Sequence, residues 1–166
     1  MGRVNLLKFN IAKYQKPDPD EIDWEVTRKN FSVFVNAYQI SRERVGQTRM
    51  PRVTQSFSLI PPSTINQGCG QSEVLLIQHE DALEEFNELH NLFVQGYSAI
   101  SHVKPDKSER RRKIFFLRYF NNLTLKEISE RIFFGRDVII KESKEAMLQF
   151  CTELELVVYK SEIRKG

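Results

Sequence analysis

Apolar positions along the chain fall into helical periods separated by polar breaks. Trp24, Thr27, Phe31, Phe34 and Tyr38 recur at spacings of three, four, three and four, which puts them on one face of a helix. That helix is predicted from about Ile22 to Val45, capped by Asp20 or Asp23. The stripe reads first as core packing or contact with a partner helix, and only secondarily as a base-stacking platform. Ahead of it, residues 1–19 end in Lys16-Pro17-Asp18-Pro19, which cannot continue a helix, and form an irregular or short-strand leader. Behind it, Gln47 to Gln71 contains Pro51, Pro61, Pro62, Gly68 and Gly70 among many Ser, Thr and Gln. This reads as a long connector, tacked down by Val53, Phe57 and Leu59. Loops of this length are usually functional or flexible.

Helical periodicity returns from about Ser72 to Val103. Leu75, Leu76, Ala82, Phe86, Leu89, Phe93, Tyr97 and Ile100 supply an apolar face, and Glu80, Asp81, Glu84, Glu85 and Glu88 crowd the polar side. Lys104-Pro105-Asp106-Lys107 then breaks the chain, and Ser108 is placed to cap a helix from Glu109 to Phe120. Two more helices follow, joined by a short turn. Thr124-Leu125-Lys126-Glu127 fits a capping box, with Leu123 and Ile128 placed as a hydrophobic staple. A helix therefore begins at Leu125, with Ile128 and Ile132 as its buried stripe. Gly135 breaks that run. The last helix sets Ile139, Ser143, Ala146 and Phe150 on one face, where the small Ser143 and Ala146 let a neighbouring helix approach closely. Two helices joined in this way form the helix-turn-helix unit that lays one helix in the DNA major groove.

The chain has 166 residues, 40% hydrophobic and 28% charged, an ordinary soluble globular composition. Its net charge of +3 conceals segregation. Residues 72–103 carry six acids and no Lys or Arg, whereas residues 104–118 carry seven basic and two acidic residues. A basic block just before the helix-turn-helix suits a phosphate-contacting edge, or else a solvated helix start. Arg110, Arg111, Arg112 and Lys113 would lie in the first turn of their helix, against the positive helix terminus, and a phosphate backbone would relieve them. The acidic cluster reads as a solvated face. Cys69 and Cys151 have no metal-ligand spacing and suggest a reducing interior. His79, His90 and His102 make no metal site, and no cofactor motif or catalytic constellation is present, so no enzymatic activity is expected. No apolar run is long enough for a membrane span, and a cytoplasmic location in a bacterial host is expected.

Leu117, Arg118, Tyr119, Leu123, Thr124, Glu127, Ile128, Ile139 and Ala146 match, without a gap, the skeleton of the region-four helix-turn-helix of sigma factors, which this segment resembles. More of the chain resembles the ArpU family of phage transcriptional regulators. The resemblance rests on Glu21 to Asn30, a short basic stretch after the first helix, the connector leading to Ser72-Glu73, the acidic helix, the Tyr119 helix, and a closing helix with Lys144, Ala146, Met147 and Phe150. It covers most of residues 20–152 and lies in the order of these features. Members of that family look like activators of phage late genes (packaging, morphogenesis or lysis) and have been linked to control of cell-wall hydrolase export.

The resemblance places groove-facing residues at Arg136, Asp137, Ile140 and Lys141, with Lys144 one turn further on. Arg and Lys suit guanine O6 and N7 or phosphate oxygens, Asp137 a cytosine amine, and Ile140 a thymine methyl. Thr124 and Lys126, with Arg110 to Lys113, fall at the usual place for phosphate contacts. The sigma pattern carries Gly where Phe133 stands and a Ser or Thr cap where Gly135 stands. It also has an aliphatic residue at Glu142, so this carboxylate is either swung to the helix edge or paired with a basic residue. The recognition helix is weakly basic, so support is expected from Arg110 to Lys113, a second copy of the chain, or host RNA polymerase.

The expected architecture is all-α. An N-terminal helical part comprises the leader and striped helix (1–46), the connector (47–71) and the acidic helix (72–103). A sigma-region-four-like helix-turn-helix (104–152) and a tail (153–166) complete it. The expected function is sequence-specific binding of double-stranded promoter DNA, activating phage late genes. The rivals are a small-terminase-like packaging protein, which binds DNA as a ring-sized homo-oligomer, and a sigma-like module acting mainly on RNA polymerase.

Overall fold

A computed structural model describes residues 15–46 and 73–163, with side chains over 15–46 and 80–161. Val53, Phe57, Leu59, Cys69 and the side chains of Leu75, Leu76 and His79 lie outside the described residues, as do most of the leader and the connector. Among the described residues the architecture is all-helical: α1 (Trp24–Arg44), α2 (Glu73–Ala99), α3 (Pro105–Tyr119), α4 (Leu125–Ile132), α5 (Arg136–Glu153) and the single turn α6 (Lys160–Ile163). None of these helices is long and apolar enough to cross a membrane.

Helix α1 starts where an acidic cap can satisfy its first amides. The Asp23 carboxylate accepts from the Val26 amide at 3.0 Å. The predicted stripe is core: Thr27, Phe31, Phe34 and Tyr38 are buried, and Trp24 packs at the edge of the same cluster. Phe31 meets the ring of Phe150 edge-on at 5.6 Å, and Tyr38 stacks on Phe93 at 4.9 Å. Such pairs each contribute about 0.5–1.5 kcal/mol beyond area burial. Rings committed in this way are not available for base stacking. The cluster draws on α1, α2, α3 and α5 together, so the N-terminal helices and the C-terminal helices share one core. Glu80, Asp81, Glu84, Glu85 and Glu88 face solvent, and Glu85 meets Arg44 at 3.3 Å.

The segment after α5 closes on the segment before α1. Ile22 and Tyr159 form an isolated antiparallel bridge. The Thr27 hydroxyl, sealed inside, accepts from the Val158 amide at 3.1 Å. This explains why a polar residue sits in the apolar stripe.

Helix α3 begins earlier than its sequence suggests. Pro105 occupies the first turn, where its missing N–H costs nothing, and Lys104 is the cap residue with no side-chain cap bond. Ser108 instead accepts from the His102 amide at 2.7 Å and donates to the His102 carbonyl at 2.9 Å. Arg110 to Lys113 therefore lie in the second and third turns, where the repulsive end-charge has largely faded.

Helices α3, α4 and α5 surround a second, smaller cluster of Ile114, Leu117, Ile128 and Ile139, with Leu123 packed against it. Close approach elsewhere depends on Gly96. A Cβ there would lie 2.7 Å from two ring carbons of Phe150, so α2 and α5 meet where only glycine fits.

Candidate nucleic-acid interface

Helix α4 starts at Leu125 under a complete capping box. Thr124 Oγ1 accepts from the Glu127 amide at 3.3 Å, and Glu127 Oε2 accepts from both the Thr124 amide and hydroxyl at 2.8 Å. These bonds, the backbone one foremost, hold the Glu127 carboxyl below its usual range. They also take up the Thr124 hydroxyl proton and the Glu127 amide, leaving the Leu125 and Lys126 amides and the exposed Lys126 side chain as this edge's anion donors. Lys126 is 4.0 Å from Glu130 in an exposed i,i+4 pair, which contributes little.

The turn between α4 and α5 holds its shape with the wrong residue in the left-handed position. Phe133 has φ 60°, donates its amide to Ser129 O at 2.9 Å, and is 89% exposed. Gly135, expected to break the helix, has φ −67° and serves as the cap of α5. The displaced glycine therefore leaves the left-handed position to a strained Phe. Ser129 Oγ donates to Phe134 O at 2.7 Å, and the Arg110 guanidinium lies over the Phe134 ring at 4.4 Å.

Helix α5 buries Ile139, Glu142, Ser143, Ala146 and Phe150 and exposes Arg136, Asp137, Ile140, Lys141 and Lys144. The exposed set runs over three turns. Arg136 also lines a recess with Thr124, Lys126, Ser129 and Glu130. The start of α4 and the start of α5 are thus brought together. Lys144 sits apart from the others: its ammonium lies 4.3 Å from the Trp24 ring centroid on α1.

The basic block of α3 does not behave as a unit. Arg111, expected to contact phosphate, is buried; its Nε donates to Glu142 Oε2 at 2.6 Å and its Nη1 to Ser101 O at 2.8 Å. The Glu142 carboxylate is the paired one of the two expected alternatives, and Arg110 Nη2 lies 3.9 Å from its other oxygen. Arg112 donates to Ile100 O at 2.8 Å and Ser98 O at 3.2 Å. These arginines serve carbonyls at and just beyond the end of α2, a helix with no cation in its own last turn. Lys113 alone in this block is exposed.

A second groove runs between α1, the end of α3 and α5, with a cavity volume of about 570 Å³. Arg28, Arg118 and Lys144 supply three cations, and among the described residues no carboxylate lines it. Arg118 donates to Ser143 Oγ. Burial pushes the Tyr119 hydroxyl up, against the opposing pull of Arg118, a Ser143 hydrogen bond and Arg28. The sequence marks neither Arg28 nor Arg118 as an anion contact, Arg118 entering only as part of the sigma-like skeleton. Arg28 lies beside the aromatic stripe and looks like any solvated helix charge until α5 is folded against α1.

The chain is similar to a phage-related protein. That relative, the uncharacterized phage-related protein Lin1259/Lin1739 of Listeria innocua serovar 6a, is 25% identical over 134 residues, covering 81% of this chain and 90% of its own length. No protein-family model matches the chain, and no solved structure matches it. The similarity to the Listeria protein spans most of both chains, so it concerns the whole fold and not the α4–α5 unit alone.

Proposed function

We propose that this protein binds double-stranded DNA through the α4–turn–α5 unit and regulates transcription of phage genes. The observation that carries the reading is the exposed flank of α5. Arg136, Asp137, Ile140 and Lys141 follow one another at helical spacing beside a recess that also takes Lys126 and the start of α4. A helix of this kind inserted in the major groove would present two guanine-seeking cations, a cytosine-seeking carboxylate and a methyl-seeking aliphatic side chain. Lys126 and the α4 amides would hold the adjacent phosphates. Similarity to a phage-related protein supports the phage setting. The resemblance to the ArpU family and to sigma region four supports activation of late genes, with contact to host RNA polymerase as the route.

The test is fluorescence anisotropy of the full chain against late-promoter DNA of the phage and a scrambled duplex, at two salt concentrations. Tighter, saturable binding to the promoter is expected. Arg136→Ala and Lys141→Ala should each reduce the discrimination by about 1–3 kcal/mol. Equal, steeply salt-dependent binding to both duplexes would overturn sequence reading, and absence of binding at low salt would overturn DNA binding altogether.

A further inference from the structure

We infer that the groove between α1 and α5 is a second phosphate-binding edge, in which Arg28 and Arg118 hold a phosphodiester of the DNA strand that flanks α5. This rests on the DNA-binding reading and extends the interface to α1, a helix otherwise explained by core packing.

Three observations carry it. First, Arg28, Arg118 and Lys144 converge on one groove that no carboxylate among the described residues lines. Arg118 is held by the neutral Ser143 hydroxyl, and Lys144 by the face of Trp24. Among the described residues no ion pair engages Arg28. Like charges gathered without a counter-charge repel, and an anion placed among them converts that repulsion into attraction. Second, the groove shares Ile140 and Lys144 with the exposed flank of α5. A duplex that reaches those side chains carries a backbone past them, and the arginines stand where it passes. Third, the groove continues the α4 recess. Asn122 lines the groove and Thr124, two residues on, lines the recess. Along α5, Arg136 in the recess is one turn from Ile140 in the groove. Residues one turn apart on α5 thus line the two concavities, as successive phosphates of one strand would require. Arg28 and Arg118 therefore take the anchoring role that Arg111, locked to Glu142, does not fill.

A groove of this chemistry also fits a free phosphorylated small molecule, and the test separates the two sources. Binding of promoter and scrambled duplex is measured from about 50 to about 200 mM salt for the wild type, Arg28→Ala, Arg28→Glu and Lys141→Ala. Arg28 is exposed, so the circular dichroism of its variants should match the wild type. Arg28→Ala should weaken both duplexes by the same factor, and its loss of affinity across that salt range should be about threefold smaller, as removal of one phosphate contact requires. Arg28→Glu should weaken binding further, whereas Lys141→Ala should act chiefly on the promoter.

Wild-type binding with an unchanged salt slope in Arg28→Ala overturns the groove assignment and leaves DNA reading by α5 standing. Failure of the wild type to bind any duplex overturns both. Pyrophosphate is titrated in parallel by thermal shift. Arg28-dependent stabilisation by pyrophosphate, with DNA affinity indifferent to Arg28, would make the groove a small-anion site and also overturn the proposal.

Discussion

Removing Glu142 should destabilise the fold far more than removing an ordinary helix-surface carboxylate. Its side chain is 10% exposed and that of Arg111 is 9% exposed, with 2.6 Å between Oε2 and Nε. Unit charges about 4 Å apart at an effective dielectric of about 20 attract by about 4 kcal/mol, and breaking a buried pair by deleting one partner costs about 3–5 kcal/mol. Glu142→Ala should therefore cost about 3–4 kcal/mol. It should cost more than Arg111→Ala, because Arg110, at 3.9 Å, is left facing Arg111 in the first variant and still faces Glu142 in the second. The double variant Arg111→Met with Glu142→Leu should recover to within about 1 kcal/mol of the wild type, since apolar residues of similar volume commonly replace such pairs without loss. The Ser101 carbonyl does not lose its last partner in that variant, because Gln149 Nε2 donates to it at 3.0 Å. Urea unfolding followed by far-ultraviolet circular dichroism gives all four corners of the cycle. A cost below about 1 kcal/mol for Glu142→Ala, or a double variant as unstable as the two single losses added, would refute the buried-pair account.

Phe133→Gly should stabilise the protein by about 0.5–1 kcal/mol in the same assay. It relieves a left-handed residue at φ 60° that costs about 1–2 kcal/mol, against a smaller glycine entropy cost, and a loss of stability would show that the exposed ring makes contacts that matter. Gly96→Ala should do the opposite. The gain of about 1 kcal/mol in helix propensity is outweighed by a Cβ driven to 2.7 Å from the buried Phe150 ring, overpacking of a kind that costs about 1–3 kcal/mol; a raised urea midpoint would mean that α2 and α5 separate freely. Alkaline pH should unfold the chain progressively. Burial pushes Tyr38 and Tyr97 from 10.0 to about 12 and Cys151 from 9.0 to about 12. These folded values lie above the unfolded ones, so their contribution is whole below pH about 9 and is lost between about 9 and 12. Urea midpoints taken across that window should fall from about pH 9 in the wild type and from about pH 10 in Cys151→Ala, whereas a flat profile would contradict the burial of these groups.

The parts of this fold that local chemistry determines could be read along the chain. The capping box needs only Thr124 and Glu127 at a spacing of three, and α4 begins where it dictates. The aromatic stripe needs only helical periodicity, and its residues are the core. What resisted reading depends on partners distant in sequence. Glu142 breaks an aliphatic pattern, and whether its carboxylate leaves the core or is paired within it depends on an arginine 31 positions away. Pro105 reads as a break because proline cannot lie inside a helix, but it is equally at home in a first turn, and only the following backbone distinguishes the two. Local signals placed the end of α4 at Gly135, whereas the chain turns at Phe133, because the packing of Ile128 and Ile139 sets where the two helices must meet.

The same distinction bears on where DNA contacts should be sought. A run of four cations from Arg110 to Lys113 looks like a phosphate edge because charge density along the chain is all that a sequence displays. Folding sorts those cations by what lies opposite them. Arg111 faces a buried carboxylate, Arg112 the carbonyls that α2 leaves unsatisfied, and Arg110 both Glu142 and the Phe134 ring. The cations left to attract an external anion are those that no described carboxylate faces. Arg28 and Arg118 meet that condition only because the aromatic stripe presses α1 and α3 against α5. The packing that makes α1 a core helix therefore also sets its exposed edge beside the helix proposed to read the bases.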